Sequence, residues 1–276
     1  MSKAVSGKAH GALAGLALGL ASLGLGGCGS SSDEDTNYVE QPVEVLYNRA
    51  LDNLGQQEYK AAAKGFEEVD RQHPYSVWAT KAEIMAAFAY YQSNKYDDAI
   101  IALDRFIQLH PGHRDIPYAY YLKALCFYEQ ISDVGRDQRV TQQALDALAE
   151  VVKRFPESPY ARDARLKVEL AIDHLAGKEM SVGRYYQNNQ QYVGAINRYR
   201  VVIERYQTTT HVPEALHRLV ETYLSLGVKS EAQEAAAVLG FNFPGSEWYQ
   251  DSYYLMTGEG TPAPSDEKRG WFFGLF

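Results

Sequence analysis

The chain has 276 residues, 46% of them apolar and 22% charged, with a formal charge of −8 and a sequence pI near 5.4. That composition excludes a disordered chain, and its acidity argues against nucleic acid or anionic lipid headgroups as partners. No run of alternating β-branched residues appears and Pro and Gly are sparse through the middle, so the expectation is an all-α fold.

Residues 1–27 read as a secretory signal peptide. Lys3 and Lys8 give a short basic start, and a Gly- and Ala-rich apolar run follows from Gly11 to Gly27, too short and glycine-rich for a stable membrane span. The run ends in LGLGGCGS, where Leu25, Gly26 and Gly27 precede Cys28. This resembles a bacterial lipobox, which implies cleavage before Cys28 and acylation of its sulfur and new amino group. Several acyl chains make a stable anchor where one would not. The alternative is an ordinary cleavage site with an incidental cysteine. Cleavage removes two lysines and no acids, taking the formal charge from −8 to −10. Membrane attachment must then come from lipid. With Cys28 acylated, Cys126 has no disulfide partner; among Leu122, Ala124, Leu125 and Phe127 it reads as a small core residue. Residues 28–41, rich in Ser, Asp and Glu, read as the lipidated Cys and a flexible tether, with Pro42 suited to a helix start.

From residue 42 to 256 one pattern recurs. Tyr96, Ala99, Leu103, Phe106 and Ile107 fall on one helical stripe that Pro111 stops. Tyr59, Ala62, Phe66, Val69 and Pro74 match it, as do Thr141, Ala144, Leu148, Val151 and Pro156. Tyr192, Ala195, Tyr199 and Val202 follow, with Gln207 in place of the proline, and then Lys229, Ala232, Ala236, Leu239 and Pro244. The terminal positions 74, 111, 156, 207 and 244 are 37, 45, 51 and 37 apart, the mark of a repeat array with two insertions. Each stripe follows another helical stretch in which a small or compact residue precedes a Tyr by three: Ala87 and Tyr90, Gly183 and Tyr186, Val220 and Tyr223. This resembles the tetratricopeptide pattern and predicts five helix pairs stacked as a superhelical solenoid, since no pair can bury its apolar face alone. In the third pair Ser132–Val140 inserts a polar loop. The fourth should have a long first helix bent near Gly177, and the missing proline at Gln207 predicts a longer turn into the fifth. Residues 257–276 read as a disordered tail ending in WFFGLF, a segment that would dock on a partner, dip into lipid or stay free. It ends in Phe276, and a tail folded into the chain's own groove is a further expectation.

The strongest functional signal is aromatic, with 21 tyrosines in the chain. In a tetratricopeptide stack the first helix of each pair lines the concave wall. Counting from Ala50, Ala87 and Ala124, the inward set is Tyr47, Leu51, Leu54, Ile84, Phe88, Tyr91, Tyr121, Leu125 and Tyr128. An amphipathic aromatic trough of this kind suits peptide capture, tyrosine offering large contact area at small entropic cost. The alternative is that these rings only seal the packing between helices. His110 and His113 have chelating spacing but sit in a turn without cysteine, and His73 shares the offset of His110, which favours helix-end capping over metal. His211 and His217, six apart, do not share a helix face. HExxH, GxSxG and phosphate-binding glycine motifs are absent, so no enzyme, metal or cofactor is expected.

Signal peptide, lipobox, acidic tether and five repeats, in that order, resemble the BamD family of lipoproteins from the outer-membrane β-barrel assembly machinery. The likeness is carried most by YNRALDNLGQQEYKAAAKGFEEVDRQHPYSVWATKAE and by RYYQNNQQYVGAINRYRVVIERY. It implies a periplasm-facing scaffold, lipid-anchored in the outer membrane, whose last repeats hold a POTRA domain of BamA beside other assembly lipoproteins. Its first repeats would receive the C-terminal targeting segment of unfolded outer-membrane proteins. Asn197 and Arg198 would face BamA, Arg198 pairing with a partner carboxylate or, alternatively, pairing with Glu204 of this chain or standing solvated. Gly29 rather than aspartate after Cys28 favours the outer membrane. The runner-up is another tetratricopeptide lipoprotein, such as a secretin pilotin or a cell-envelope coordinating protein.

Overall fold

Each stripe of Ala and large apolar residues needs a neighbour to cover it, and the computed structural model, which describes residues 40–259, supplies one every time. Eleven helices run through the described residues: α1 (Val43–Gly55), α2 (Tyr59–Gln72), α3 (Val77–Gln92), α4 (Tyr96–Leu109), α5 (Ile116–Tyr128), α6 (Arg139–Arg154), α7 (Pro159–Asn188), α8 (Tyr192–Arg205), α9 (Val212–Ser225), α10 (Lys229–Asn242) and α11 (Glu247–Thr257). No strand occurs among these residues. The signal peptide, Cys28, the tether up to Val39 and the tail from residue 260, including WFFGLF and its proposed folding back, lie outside the described residues.

The helices pair as α1–α2, α3–α4, α5–α6, α7–α8 and α9–α10, and successive pairs stack into an all-α solenoid of five tetratricopeptide-like hairpins. Odd-numbered helices also approach one another, α1 to α3, α3 to α5, α5 to α7 and α9 to α11, which puts them in the inner, shorter layer. Within four pairs the turn has one construction. Gln57, Asn94, Gln190 and Gly227 take left-handed backbone. The next residue's N–H then reaches back to close the helix: Glu58 to Asn53 O, Lys95 to Tyr90 O, Gln191 to Tyr186 O and Val228 to Tyr223 O, all at 2.8–2.9 Å. The third pair lacks this turn because a loop, residues 129–138, is inserted there; the sequence placed it at 132–140, but Arg139 and Val140 belong to the first turn of α6.

Between pairs the chain turns on a different, equally repeated bond. Ser76 N, His113 N, Ser158 N, Thr209 N and Ser246 N donate to the carbonyls of His73, His110, Phe155, Tyr206 and Phe243 at 3.0–3.1 Å. The turn at Tyr206 forms without a proline, and its six residues, 206–211, equal the six of 110–115 that contain Pro111, so the lengthening expected from the missing proline is not seen.

The small residues sit where helices cross most closely. A Cβ on Gly183 would come within 2.5 Å of the Tyr199 ring, and one on Gly65 within 2.9 Å of Ala50 Cβ. Four apolar clusters fill the stack: one under α1–α3, one under α3–α5, one joining α5, α6 and the front of α7, and one spanning the rear of α7 to α11. Helix α7 runs without interruption through Gly177. Its front half packs Ala164 and Val168 with Leu148 and Val151, its rear half Ala176 and Met180 with Ala195 and Tyr199.

Helix α11 has no counterpart in the sequence reading, and the tail expected to begin at residue 257 begins beyond it. Ser246 Oγ accepts from Tyr249 N at 3.1 Å to cap the start, and Gly258 at φ +73° ends it. Trp248, Tyr249 and Met256 cover the last apolar face of the stack, which a solenoid must close.

Candidate peptide groove and partner interface

The nine residues assigned to the trough fall on the inner helices α1, α3 and α5 but differ in exposure. Tyr47 and Ile84 are buried in the repeat cores. Tyr47 meets Phe66 edge-on at 5.4 Å and Trp78 at 4.8 Å, and burial raises its phenol pKa. Leu51 is exposed, while Leu54, Phe88, Tyr91, Tyr121, Leu125 and Tyr128 are half-buried, each with part of its surface on the wall.

The tyrosines of this wall are held by their rings and by their hydroxyls. Tyr121 stacks on Tyr160 of α7 at 5.2 Å, and Tyr118 leans on the same ring at 5.4 Å. The Tyr121 hydroxyl donates to Asp163 Oδ2 and that of Tyr91 to Glu129 Oε1, 3.4 Å away. Burial first, then the Glu129 charge, pushes the Tyr91 phenol up to about 12; burial pushes Tyr118 to about 12. The bond from Tyr121 in turn lowers the Asp163 carboxyl. Lys167 lies 5.4 Å over the Tyr128 ring. Rings fixed in this way form a pre-shaped surface that loses little entropy when covered.

Counted from the small residue of each pair, two inner positions along the wall are instructive. One residue past the small one stand Leu51, Phe88 and Leu125, then Arg184 and Glu221. Four past it stand Leu54, Tyr91 and Tyr128, then Gln187 and Leu224. At the first of these offsets the wall changes from apolar to charged after the third pair, and the polar groups are linked. Arg184 Nη1 donates to Glu214 Oε1 at 2.7 Å, Gln187 Nε2 to Glu221 Oε2 at 3.0 Å, and Arg218 Nη1 to the same oxygen at 2.9 Å. His217, buried, sets Nδ1 2.9 Å from Ser252 Oγ of α11 and Nε2 3.4 Å from Glu221 Oε1. Burial alone would raise the Glu221 carboxyl. The His217 bond and the Arg218 charge outweigh it and bring the pKa down to about 2. Extending the offset count to Gly183 and Val220 finds Arg184, Gln187 and Glu221 in the sequence; nothing local announces Glu214 or Arg218.

Arg198 and Asn197 stand together on α8, Asn197 exposed and Arg198 part-covered. Arg198 Nη1 donates to Glu179 Oε2 of α7 at 3.1 Å. That corrects the pairing with Glu204 weighed from sequence: six residues separate 198 from 204, which does not share a helix face, whereas Glu179 arrives from the packed neighbour. The other sequence candidates are structural. Cys126 is fully buried, and burial pushes its thiol up to about 12. His73 Nε2 lies 2.7 Å from Gln41 O ahead of α1, a contact across the first helix pair in place of the helix-end capping expected, and His113 Nδ1 accepts from Asp115 N. Among the described residues no group of His, Cys, Asp or Glu is arranged to hold a metal, and no helix is long and apolar enough to cross a membrane.

A stack of helical hairpins with an aromatic inner wall at one end and a charged one at the other defines the class as a tetratricopeptide-like solenoid. Comparison with known proteins narrows the class. A family model described as YfiO, outer membrane lipoprotein, matches residues 39–239. The outer membrane protein assembly factor BamD of Caulobacter vibrioides is 49% identical over 91% of this chain and 83% of its own. That of Rickettsia prowazekii is 45% identical over 84% and 92%, and that of Neisseria meningitidis serogroup A 36% over 84% and 90%. The chain belongs to the BamD family of outer membrane lipoproteins.

Proposed function

We propose that this protein is an outer-membrane assembly factor that works by binding polypeptides, without turnover. It is lipid-anchored through Cys28 on the periplasmic face. The trough of the first three pairs receives the aromatic C-terminal segment of unfolded outer-membrane β-barrel proteins. The last pairs, with Asn197 and Arg198 outermost, dock a POTRA domain of BamA alongside other assembly lipoproteins. The observation that carries this reading is the change along the inner wall, from Leu51, Phe88 and Leu125 to Arg184 and Glu221 at one repeated offset. Apolar half-buried rings suit an aromatic peptide, and a charge-paired face suits a folded partner with complementary charges.

Anisotropy of a labelled peptide ending in Phe, titrated with the full chain, tests the first half. Leu51→Asp with Phe88→Ala should weaken binding about tenfold, as truncated hot-spot contacts do, read at a temperature where the variant is fully folded because Phe88 also packs on the α3–α5 core. Equal affinity in the double variant overturns the groove. For the second half, Arg198→Glu should remove a POTRA-bearing barrel protein from material co-purified out of solubilised envelope. Recovery of a secretin in its place would favour the pilotin class.

A further inference from the structure

Away from the inner wall, a hollow opens between α2, α3 and α4. Phe66, Ala86 and Ala102 form its apolar side, and Ile101 stands bare at the lip, 69% exposed. Four carboxylates, Glu67, Asp70, Glu83 and Asp98, line it against one guanidinium, Arg105, and the Tyr90 ring. Three of the four are served by neighbours at the surface. Arg105 Nη2 donates to Asp70 at 2.7 Å, the Tyr90 hydroxyl to Glu67 at 2.6 Å, and Lys95 Nζ to Asp98 at 3.3 Å. Glu83 is different. Its side chain is 8% exposed, and Oε2 accepts no hydrogen bond although it lies 3.2 Å from His110 Nε2 in an ion contact. Burial holds this carboxyl above its ordinary range, and the neighbouring His110 and Arg105 offset only part of that, which leaves the group incompletely compensated.

We propose that this hollow is a docking site for an arginine side chain presented by a partner polypeptide. The methylenes of the arginine would lie along Phe66, Ala102 and Ile101, as long cationic side chains cover apolar surface elsewhere. The guanidinium would face Glu67 and Asp98 across the Tyr90 ring, in the field of the under-compensated Glu83. A bare metal ion does not fit: no metal-holding group of ligands exists among the described residues, and the apolar side would gain nothing from an ion. The site lies on other helix faces than the trough and does not depend on what the trough binds.

The test uses the full chain in detergent micelles with isoleucine methyl groups labelled for NMR. The probes are N-acetyl-arginine amide and its citrulline counterpart, which has the same shape without the charge. The Ile101 methyl should move saturably with the arginine probe, in the range of about 1–10 mM expected of one side chain, while Ile131 stays still. Citrulline should bind at least about fivefold more weakly. Glu67→Gln with Asp98→Asn, both at exposed positions, should weaken the arginine probe by a similar factor, and Glu83→Gln should weaken it as well. Equal shifts with citrulline, no saturable movement of Ile101, or unaltered binding in the double variant would each overturn the proposal.

Discussion

The first three helix pairs and the last two are built on one plan and finished in opposite chemistry. In the first, the inner helices present leucine, phenylalanine and tyrosine, with hydroxyls tied to carboxylates at Glu129 and Asp163. In the last two, the same offsets carry Arg184, Gln187 and Glu221, and a chain of bonds runs from α7 through α9 to Ser252 on α11. The backbone does not decide this, since the hairpin turns at Asn94 and Gln190 close alike. Both ends are packed by buried apolar area; what differs is whether the inner wall adds apolar surface or paired charge. Area tolerates substitution and salt, whereas charge is specific and depends on pH.

Four measurements sharpen the contrast, beginning with the largest effect. In the fourth pair the small position is glycine where the first three have alanine. Gly183→Ala should therefore cost about 3 kcal/mol, since its Cβ would press on the fully buried Tyr199; thermal unfolding reads this directly. An unchanged Tm would mean the last pairs are less closely packed than described. Second is Glu221→Gln, with a cost on the order of 2–3 kcal/mol at neutral pH. The Glu221 pKa is depressed to about 2 from 4.5, so its contribution is complete above pH 4.5 and fades as pH falls towards 2. Denaturant titrations over that window should show wild type and variant converging in acid, and parallel curves would refute the assignment. Tyr121→Phe comes third. Losing the hydroxyl that Asp163 accepts should cost about 1 kcal/mol, with no acid limb of the size seen for Glu221. Smallest is Gln190→Gly, expected to stabilise by about 0.5 kcal/mol because φ there is +60° and the fifth pair already uses Gly227.

How much of this could be read beforehand follows from where each interaction lies along the chain. The five even helices were legible because an Ala-then-large stripe is a local periodicity; four of them begin at the predicted residue, and α6 begins at Arg139, two before Thr141. The apolar trough was legible too, as an offset from Ala50, Ala87 and Ala124. Its degree of closure was not, since Tyr47 is buried by Trp78, a residue of the next pair. Arg198 went to Glu179 and not Glu204 for the same reason, the partner being non-local. Helix α11 was missed although FPGSEW repeats the HPYSVW turn at residues 73–78, cap serine included. The signal was present, but a count of stripes ends with the last stripe and takes no account of the face it leaves bare.

Helix α7 carries a consequence of its own length. One continuous rod of thirty residues serves as the covering of the third hairpin and as the first member of the fourth. A chain of interchangeable modules can ordinarily melt from either end in steps. Here a splint lies across the joint between aromatic and ionic territories, so unravelling of α7 on one side removes the continuous helix on which the other side packs. The two surfaces are thereby obliged to share a single cooperative fate, and a load applied at one reaches the other as displacement of a beam.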